Sequence, residues 1–474
     1  MRFSDYFKIK RTQEDDWFDP ILSVDTPLFM DPFLVYRQEE GLFQGSHKDT
    51  ISFFNEQFKL IAQAKGDQNS ILYKKAVLSL IFPEVSELCL GYTSLGTKGA
   101  GSSKAIANVV AGAIWEAIRA GITEVSHFEE IALLREGFGA DRISDMTAGI
   151  LRTRLAQYTA SICSRHHIPI QKCRYHRDIY DFDRQSWALI EVNLPFNKWN
   201  ERPILLVPQK YLRELPTINA DDFWDYCFSN ENDLLRTEYS DDVTKNVDKL
   251  TIIDFARRHS EIRAEYLNYV EDESIAPYDM NSDNKGYVRW YDASANYCRA
   301  YPLFFAIKNQ EAFLHSVEQM VEAYCHFIEE NQGHKLLWND NGKSKSEKAA
   351  QLLFLGTIKQ YCQANDIDIS PEANIGRGPV DFKLSKGFTC RALLEVKLAR
   401  NTRFWNGLTR QLPTYINAEG IQHGYFIVIA YTDEDLKRIS DIQTVADQVS
   451  AKLGYSITVV VVDAMPNKPS ASRL

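Results

Sequence analysis

The C-terminal third of the chain carries the clearest alternation of hydrophobic periods. Apolar positions recur at helical spacing over 346–364, then at strand spacing near 375–384 and over 392–398. A helical pattern follows at 408–418, a strand at 424–430, a helical run over 433–453 and a strand at 457–462. That last strand, ITVVVV, is apolar enough to be expected inside a sheet with both faces covered. Helices and strands in this order predict an α/β domain with a partly parallel core sheet.

Upstream the pattern is less regular. Residues 1–69 are aromatic-rich and loop-like, with Asp-Pro turns at 19–20 and 31–32. Helical spacing predicts helices over 71–80, 102–120, 128–135, 144–166, 241–272 and 312–330, and strands over 188–194 and 204–207. The stretch 271–290 is turn-rich, and 331–348 is polar and loop-like. The expected organisation is a multidomain α+β or α/β protein. A mostly helical region with some strands occupies 1–335, with an internal break near 240–290, and a separate domain occupies 336–474.

The 474 residues exceed one typical core, and 45% hydrophobic with 25% charged residues is ordinary for a soluble globular protein. No run of about 18 apolar residues suggests a membrane span. The N-terminus has no apolar signal core, and the eight cysteines are scattered, so a cytoplasmic protein with reduced thiols is expected. The net charge of −10 argues against a nucleic-acid-coating protein. Residues 341–474, however, hold 17 of the 54 Lys and Arg against 13 of the 64 Asp and Glu, leaving 37 against 51 for the rest. The C-terminal part is therefore mildly basic, which permits polyanion binding without requiring it.

One strand is chemically odd. In Ala392-Leu393-Leu394-Glu395-Val396-Lys397-Leu398, the alternation of a strand puts Glu395 and Lys397 on one face, and Asp381 lies in the preceding strand-like stretch. Unpaired charge in a largely buried sheet is expensive. Two carboxylates with carbonyl and water oxygens, however, suit magnesium or manganese, and an adjacent lysine suits a phosphate oxygen or an attacking water. Such a set points to metal-assisted phosphodiester hydrolysis. A buried ion-pair cluster is the structural alternative.

Gly378-Pro379-Val380-Asp381 followed by Glu395-Val396-Lys397 resembles the PD-(D/E)XK nuclease superfamily, with Val380 between the namesake Pro and Asp. Gln411-Leu412-Pro413-Thr414-Tyr415 resembles the QxxxY element of its RecB-type branch, and residues four apart share a helix face. Glu347 stands on the preceding helix, where the superfamily often places another acid. The resemblance covers about 130 residues. It implies a restriction-endonuclease-like αβββαβ core and a Mg2+- or Mn2+-dependent deoxyribonuclease. It implies Asp381, Glu395 and Lys397 as catalytic residues. Gln411 and Tyr415 would position substrate or lysine, and Glu347, Asp381, Glu395 and the Val396 carbonyl would ligate the metal. Arg400, Arg403 and Arg410, with Trp405, follow the motif and suit phosphate and base contacts; solvated surface residues are the alternative.

Other segments offer weaker signals. In the Gly-rich stretch 96–105, Ser102 follows Gly101 where a P-loop requires lysine. Cys163, His166, Cys173 and His176 could suit zinc, but their spacer is short. Asp183 with Glu191 lacks a lysine, and Asp141, Arg142 and Asp145 fit a helix start.

The architecture resembles bacterial anti-phage or mobile-element effectors that join such a nuclease to a sensor. On that analogy the partners are DNA, a second copy of the chain and an additional defence subunit, with no membrane. A non-catalytic nucleic-acid-binding or docking module, and a repair or recombination nuclease, stay open as alternatives.

Overall fold

In the computed structural model the chain divides into two units, 1–92 with 98–278, and 279–474. The structure describes residues 1–466 apart from 39, 83, 92–99, 123, 136–138, 182–183, 185, 200, 240–246 and 375–378. The break falls after Tyr278, inside the turn-rich stretch 271–290 and the internal break expected near 240–290, while position 335 lies within the second unit. The polar segment 331–348 lies within the second unit. Its Trp338 indole donates to the carbonyl of Ala464 at 2.7 Å, and its Lys345 ammonium to that of Asp283 at 2.9 Å.

The N-terminal unit is mostly helical, with short two-stranded pieces. Its longest pairing is an antiparallel hairpin, Gln171–Asp181 with Ser186–Leu194. The helical run expected over 144–166 is two helices, Ala140–Ile150 and Arg152–Arg165, broken at Leu151. The apolar stretch 204–207 is fully buried without being a strand. Asp31 is a turn residue as expected: its carboxylate caps the short helix Pro32–Tyr36 through the Phe33 N–H. It is also completely buried and accepts from the N–H and hydroxyl of Thr217.

The C-terminal unit is α+β. Helices α1 (Trp290–Ala300), α2 (Gln310–Glu330) and α3 (Glu347–Ala364) precede β1 (Asp368–Asn374), β2 (Pro379–Lys386) and β3 (Cys390–Leu398). Then come α4 (Leu412–Glu419), β4 (His423–Ala430), α5 (Asp433–Arg438), α6 (Ile442–Leu453) and β5 (Ser456–Asp463). The five strands form one mixed sheet in the order β5-β4-β3-β2-β1. The hairpins β1–β2 and β2–β3 are antiparallel, and β3, β4 and β5 are parallel.

Alternation along the strands covers both faces. Phe382 packs on Phe354 of α3, and the Tyr425 hydroxyl donates to the Leu314 carbonyl of α2. On the opposite face Leu393, Phe426 and Val428 share a core with Leu412, Ile416 and Ala446.

Three expectations change. The strand expected near 375–384 is β2, and a further strand, β1, precedes it; β1 is polar and carries Pro371, which hid it from a hydrophobic pattern. It lies at the sheet edge, where a missing N–H costs no ladder bond. The helical run 433–453 breaks into α5 and α6. Strand β5 is the other edge strand, not a doubly covered one: Val461 is 37% exposed. Its outward N–H groups are blunted at both ends, Ile457 donating to the Ser450 hydroxyl and Asp463 to the Glu329 carboxylate.

α1 and α3 approach closely at Gly356. A Cβ there would lie 2.6 Å from the Ser294 Oγ and 2.7 Å from the Trp290 ring, both residues buried. Gly356→Ala should therefore destabilise the protein by about 1–3 kcal/mol. An unchanged denaturant midpoint would show that this crossing is looser than the structure has it.

Candidate functional site

The β2–β3 ladder runs from Lys386↔Cys390 to Phe382↔Leu394 and then stops. The next pair would set Asp381 against Glu395, two like charges in direct opposition, which is unfavourable in a sheet. There the two carboxylates replace backbone acceptors. The Asp381 N–H donates to Glu395 Oε2 at 3.4 Å, and the Val396 N–H donates to Asp381 Oδ2 at 2.8 Å. Strand β3 continues to Leu398 paired only with β4.

Lys397 lies where the acids converge. Its ammonium is 2.9 Å from Glu395 Oε1, 3.2 Å from Asp381 Oδ2 and 3.4 Å from Glu347 Oε1. The Val396 carbonyl is 3.5 Å away. Glu347 comes from the first residue of α3, whose N-cap Ser346 accepts from the Ala349 N–H. A first-turn acid is favoured by the helix dipole, but this carboxylate is also turned onto β3, accepting from the Leu398 N–H at 3.1 Å.

The electrostatics follow from burial and crowding. Burial pushes the Asp381 and Glu395 carboxyls up, with Lys397 opposing. Glu395, beside Asp381, is raised to about 7. Burial alone would lower Lys397, but Asp381, Glu395 and Glu347 together hold it above the ordinary lysine value. With all four groups ionised the cluster carries three negative charges and one positive.

The site thus offers oxygen donors only, the chemistry of hard divalent cations. Its buried excess of negative charge fits such an ion. As the side chains stand, their oxygens surround the ammonium. Among the described residues no group of three or more His, Cys, Asp or Glu is arranged to hold a metal.

The other expected site residues divide. Tyr415 is buried on α4, and burial, then Glu395 and Asp381, push its hydroxyl up, so it lies within their electrostatic reach. Gln411 ends a π turn, Gly407–Gln411. Pro413 has no N–H to bond the Thr409 carbonyl, which explains the widening. Gln411 makes no side-chain hydrogen bond to the cluster among the described contacts. Gly378 of the motif lies outside the described residues. The Arg400 guanidinium packs over the Tyr431 ring at 4.8 Å and donates to the Lys345 carbonyl. Arg403 and Arg410 are exposed. Trp405 is half-buried against the core, with its ring 5.1 Å from Phe404.

Two contributors carry no motif signal. The Asn401 amide donates to Glu347 Oε2 at 2.7 Å, and the Gln351 amide, one turn along α3 from Glu347, donates to the Val396 carbonyl at 3.5 Å. Beside the cluster a small cleft lined by Lys348, Gln351, Pro371, Asp381 and Phe382 opens toward Asp381.

Among the weaker signals, His166 bonds Asp15 at 2.6 Å, and Cys173 donates to the Gln171 carbonyl. The side chain of His176, residue 183 and residues 96–99 lie outside the described set. Asp145 accepts from the Val85 N–H. No helix among the described residues is long and apolar enough to cross a membrane.

Comparison with known proteins gives two family matches. A domain of unknown function (DUF8370) matches residues 8–219, and another (DUF8371) matches residues 313–433. The second span contains Glu347, Asp381, Glu395, Lys397, Asn401, Gln411 and Tyr415. No curated protein and no solved structure matches the chain.

Proposed function

We propose that the C-terminal unit is a metal-dependent nuclease that hydrolyses phosphodiester bonds in DNA. The observation that carries this is the end of the β2–β3 ladder, where Asp381, Glu395 and Glu347 converge on Lys397. The helix, three strands, helix and strand from α3 to β4 support it, since they follow the order of a restriction-endonuclease-like core. Asp381, Glu395 and Glu347, with the Val396 carbonyl, would hold Mg2+ or Mn2+. When bound, the ion supplies Lewis-acid charge neutralisation and a more acidic water.

The chain's own residues supply the rest. Lys397 is held protonated by its three acids, so its contribution is electrostatic: it stabilises negative charge on a non-bridging phosphate oxygen as water adds and the P–O bond to the leaving alkoxide breaks. Tyr415 limits solvent at the acids and orients their surroundings. Arg403 and Arg410, both exposed, would contact backbone phosphates. The N-terminal unit recognises the trigger or substrate, and a second copy provides a second active site.

A catalytically silent module is the second reading. It is favoured by Lys397 already neutralising part of the charge of all three acids. The deciding assay incubates the full chain with plasmid and linear DNA in Mg2+, Mn2+ or EDTA, beside the Asp381→Ala/Glu395→Ala variant. Cutting by the wild type that needs metal and is lost in the variant is expected. No cutting, together with no Mn2+ binding by calorimetry, would establish the silent module.

A further inference from the structure

We propose that Asn401 is the positioning residue that fixes Glu347 as a one-oxygen donor to the cation site, an inference resting on the metal-dependent reading above. Asn401 lies three residues beyond β3, where the chain turns away from the sheet. Its backbone is pinned there: its N–H donates to the Leu398 carbonyl at 3.0 Å, and its carbonyl accepts from the Phe404 N–H at 3.1 Å. Arg438 also donates to that carbonyl.

The side chain is tied at both ends. Its Oδ1 accepts from the Arg403 N–H at 2.8 Å, and its Nδ2 donates to Glu347 Oε2 at 2.7 Å. These partners fix the orientation of the amide. An N–H demands an acceptor and a carboxylate demands a donor, so flipping Asn401 would break both bonds.

The effect on Glu347 is specific. Oε2 takes two outside donors, Asn401 and the Leu398 N–H, while Oε1 is left facing Lys397. A carboxylate held this way offers one oxygen inward and cannot rotate to offer two. Both outside donors are neutral, so they orient the charge without cancelling it. Outer donors of this kind hold a ligating carboxylate in place, and their loss typically weakens metal affinity by about 10–100-fold.

Asn401→Asp is the sharp test. It keeps the shape and the Arg403 bond but replaces the donor with a carboxylate facing Glu347. Asn401→Ala removes the donor without adding charge and serves if the Asp variant folds poorly. The readouts are Mn2+ affinity of the full chain by calorimetry and the melting temperature in EDTA.

The expected result is a roughly 10–100-fold loss of Mn2+ affinity in Asn401→Asp and a smaller loss in Asn401→Ala. The melting temperature in EDTA should be retained by at least one of them. In a Glu347→Gln background, Asn401→Asp should change affinity by no more than about twofold, because a residue acting only through Glu347 has nothing left to position. Wild-type affinity in both Asn401 variants, or a full additive loss in the Glu347→Gln background, overturns the assignment while leaving the metal site standing. Absence of Mn2+ binding by the wild type overturns both.

Discussion

Lys397→Ala is expected to lower the proposed metal-dependent cleavage of DNA by about 10³-fold, the effect of removing one preorganised charge from a site that acts on a phosphate. The variant also separates catalysis from binding. Removing Lys397 leaves Glu347, Asp381 and Glu395 without the cation that each of them contacts. The lysine is only 11% exposed, so solvent cannot replace it. Breaking a buried pair by deleting one partner costs about 3–5 kcal/mol. The EDTA-treated variant therefore melts below the wild type. With the full negative charge of three carboxylates available, it is stabilised by Mn2+ at least as strongly as the wild type. A variant that cuts DNA at the wild-type rate would remove Lys397 from the chemistry. One that loses both cutting and Mn2+ stabilisation would mean that the lysine is needed to build the site rather than to act in it.

Glu129→Gln makes the stability of the N-terminal unit less dependent on pH. Glu129 lies in the 3-10 turn Phe128–Leu133, is 1% exposed, and its Oε1 has no hydrogen-bond partner. It lines a cavity of about 10 Å3, the room of a single water, with His47, Thr50 and Thr147. Burial first, then the neighbouring Asp31 and Glu130, raise its carboxyl to about 8. The folded protein thus keeps the proton while the unfolded chain, titrating near 4.5, releases it. Between pH 5 and 8 the unfolded state binds fewer protons than the native state, so stability falls as pH rises. The loss is on the order of 4 kcal/mol at 1.36 kcal/mol per pH unit. Glutamine does not titrate, so the wild type should lose this stability relative to Glu129→Gln across that range. His47 in the same cavity is pushed down to about 4 by burial, stays neutral over the window and cancels in the comparison. The check is urea denaturation of both full-length proteins at pH 5, 6.5 and 8. Parallel pH profiles would show that Glu129 is ionised in the folded state.

Much of the C-terminal unit was legible from local pattern alone. Strand alternation placed Glu395 and Lys397 on one face, and helical period placed the start of α3 within one residue. The charged residues that a buried sheet should not contain were themselves the signal of a site, because burying unpaired charge is unfavourable unless something compensates it. Long-range facts were not legible. The break after Tyr278 falls inside the internal break read near 240–290, but polar composition at 331–348 could not show that α1 and α2 belong to the second unit, which is a matter of packing. Strand β1 escaped because an edge strand needs little hydrophobicity, and β5 was read as central because four valines do not reveal their neighbours.

The sequence by itself determined the candidate residues, the acids, the lysine and the tyrosine, and the periods that put them on strands and helices. Only the tertiary structure decided that the β2–β3 ladder ends at Phe382, so that Asp381 and Glu395 take each other's strand as partner. It also decided that Glu347 accepts from the amide of Asn401, 54 residues away along the chain. The physical reason is the range of the forces. Periodicity and capping act over a few neighbours, whereas the direction of a carboxylate is set by whichever donors the fold brings within hydrogen-bonding distance.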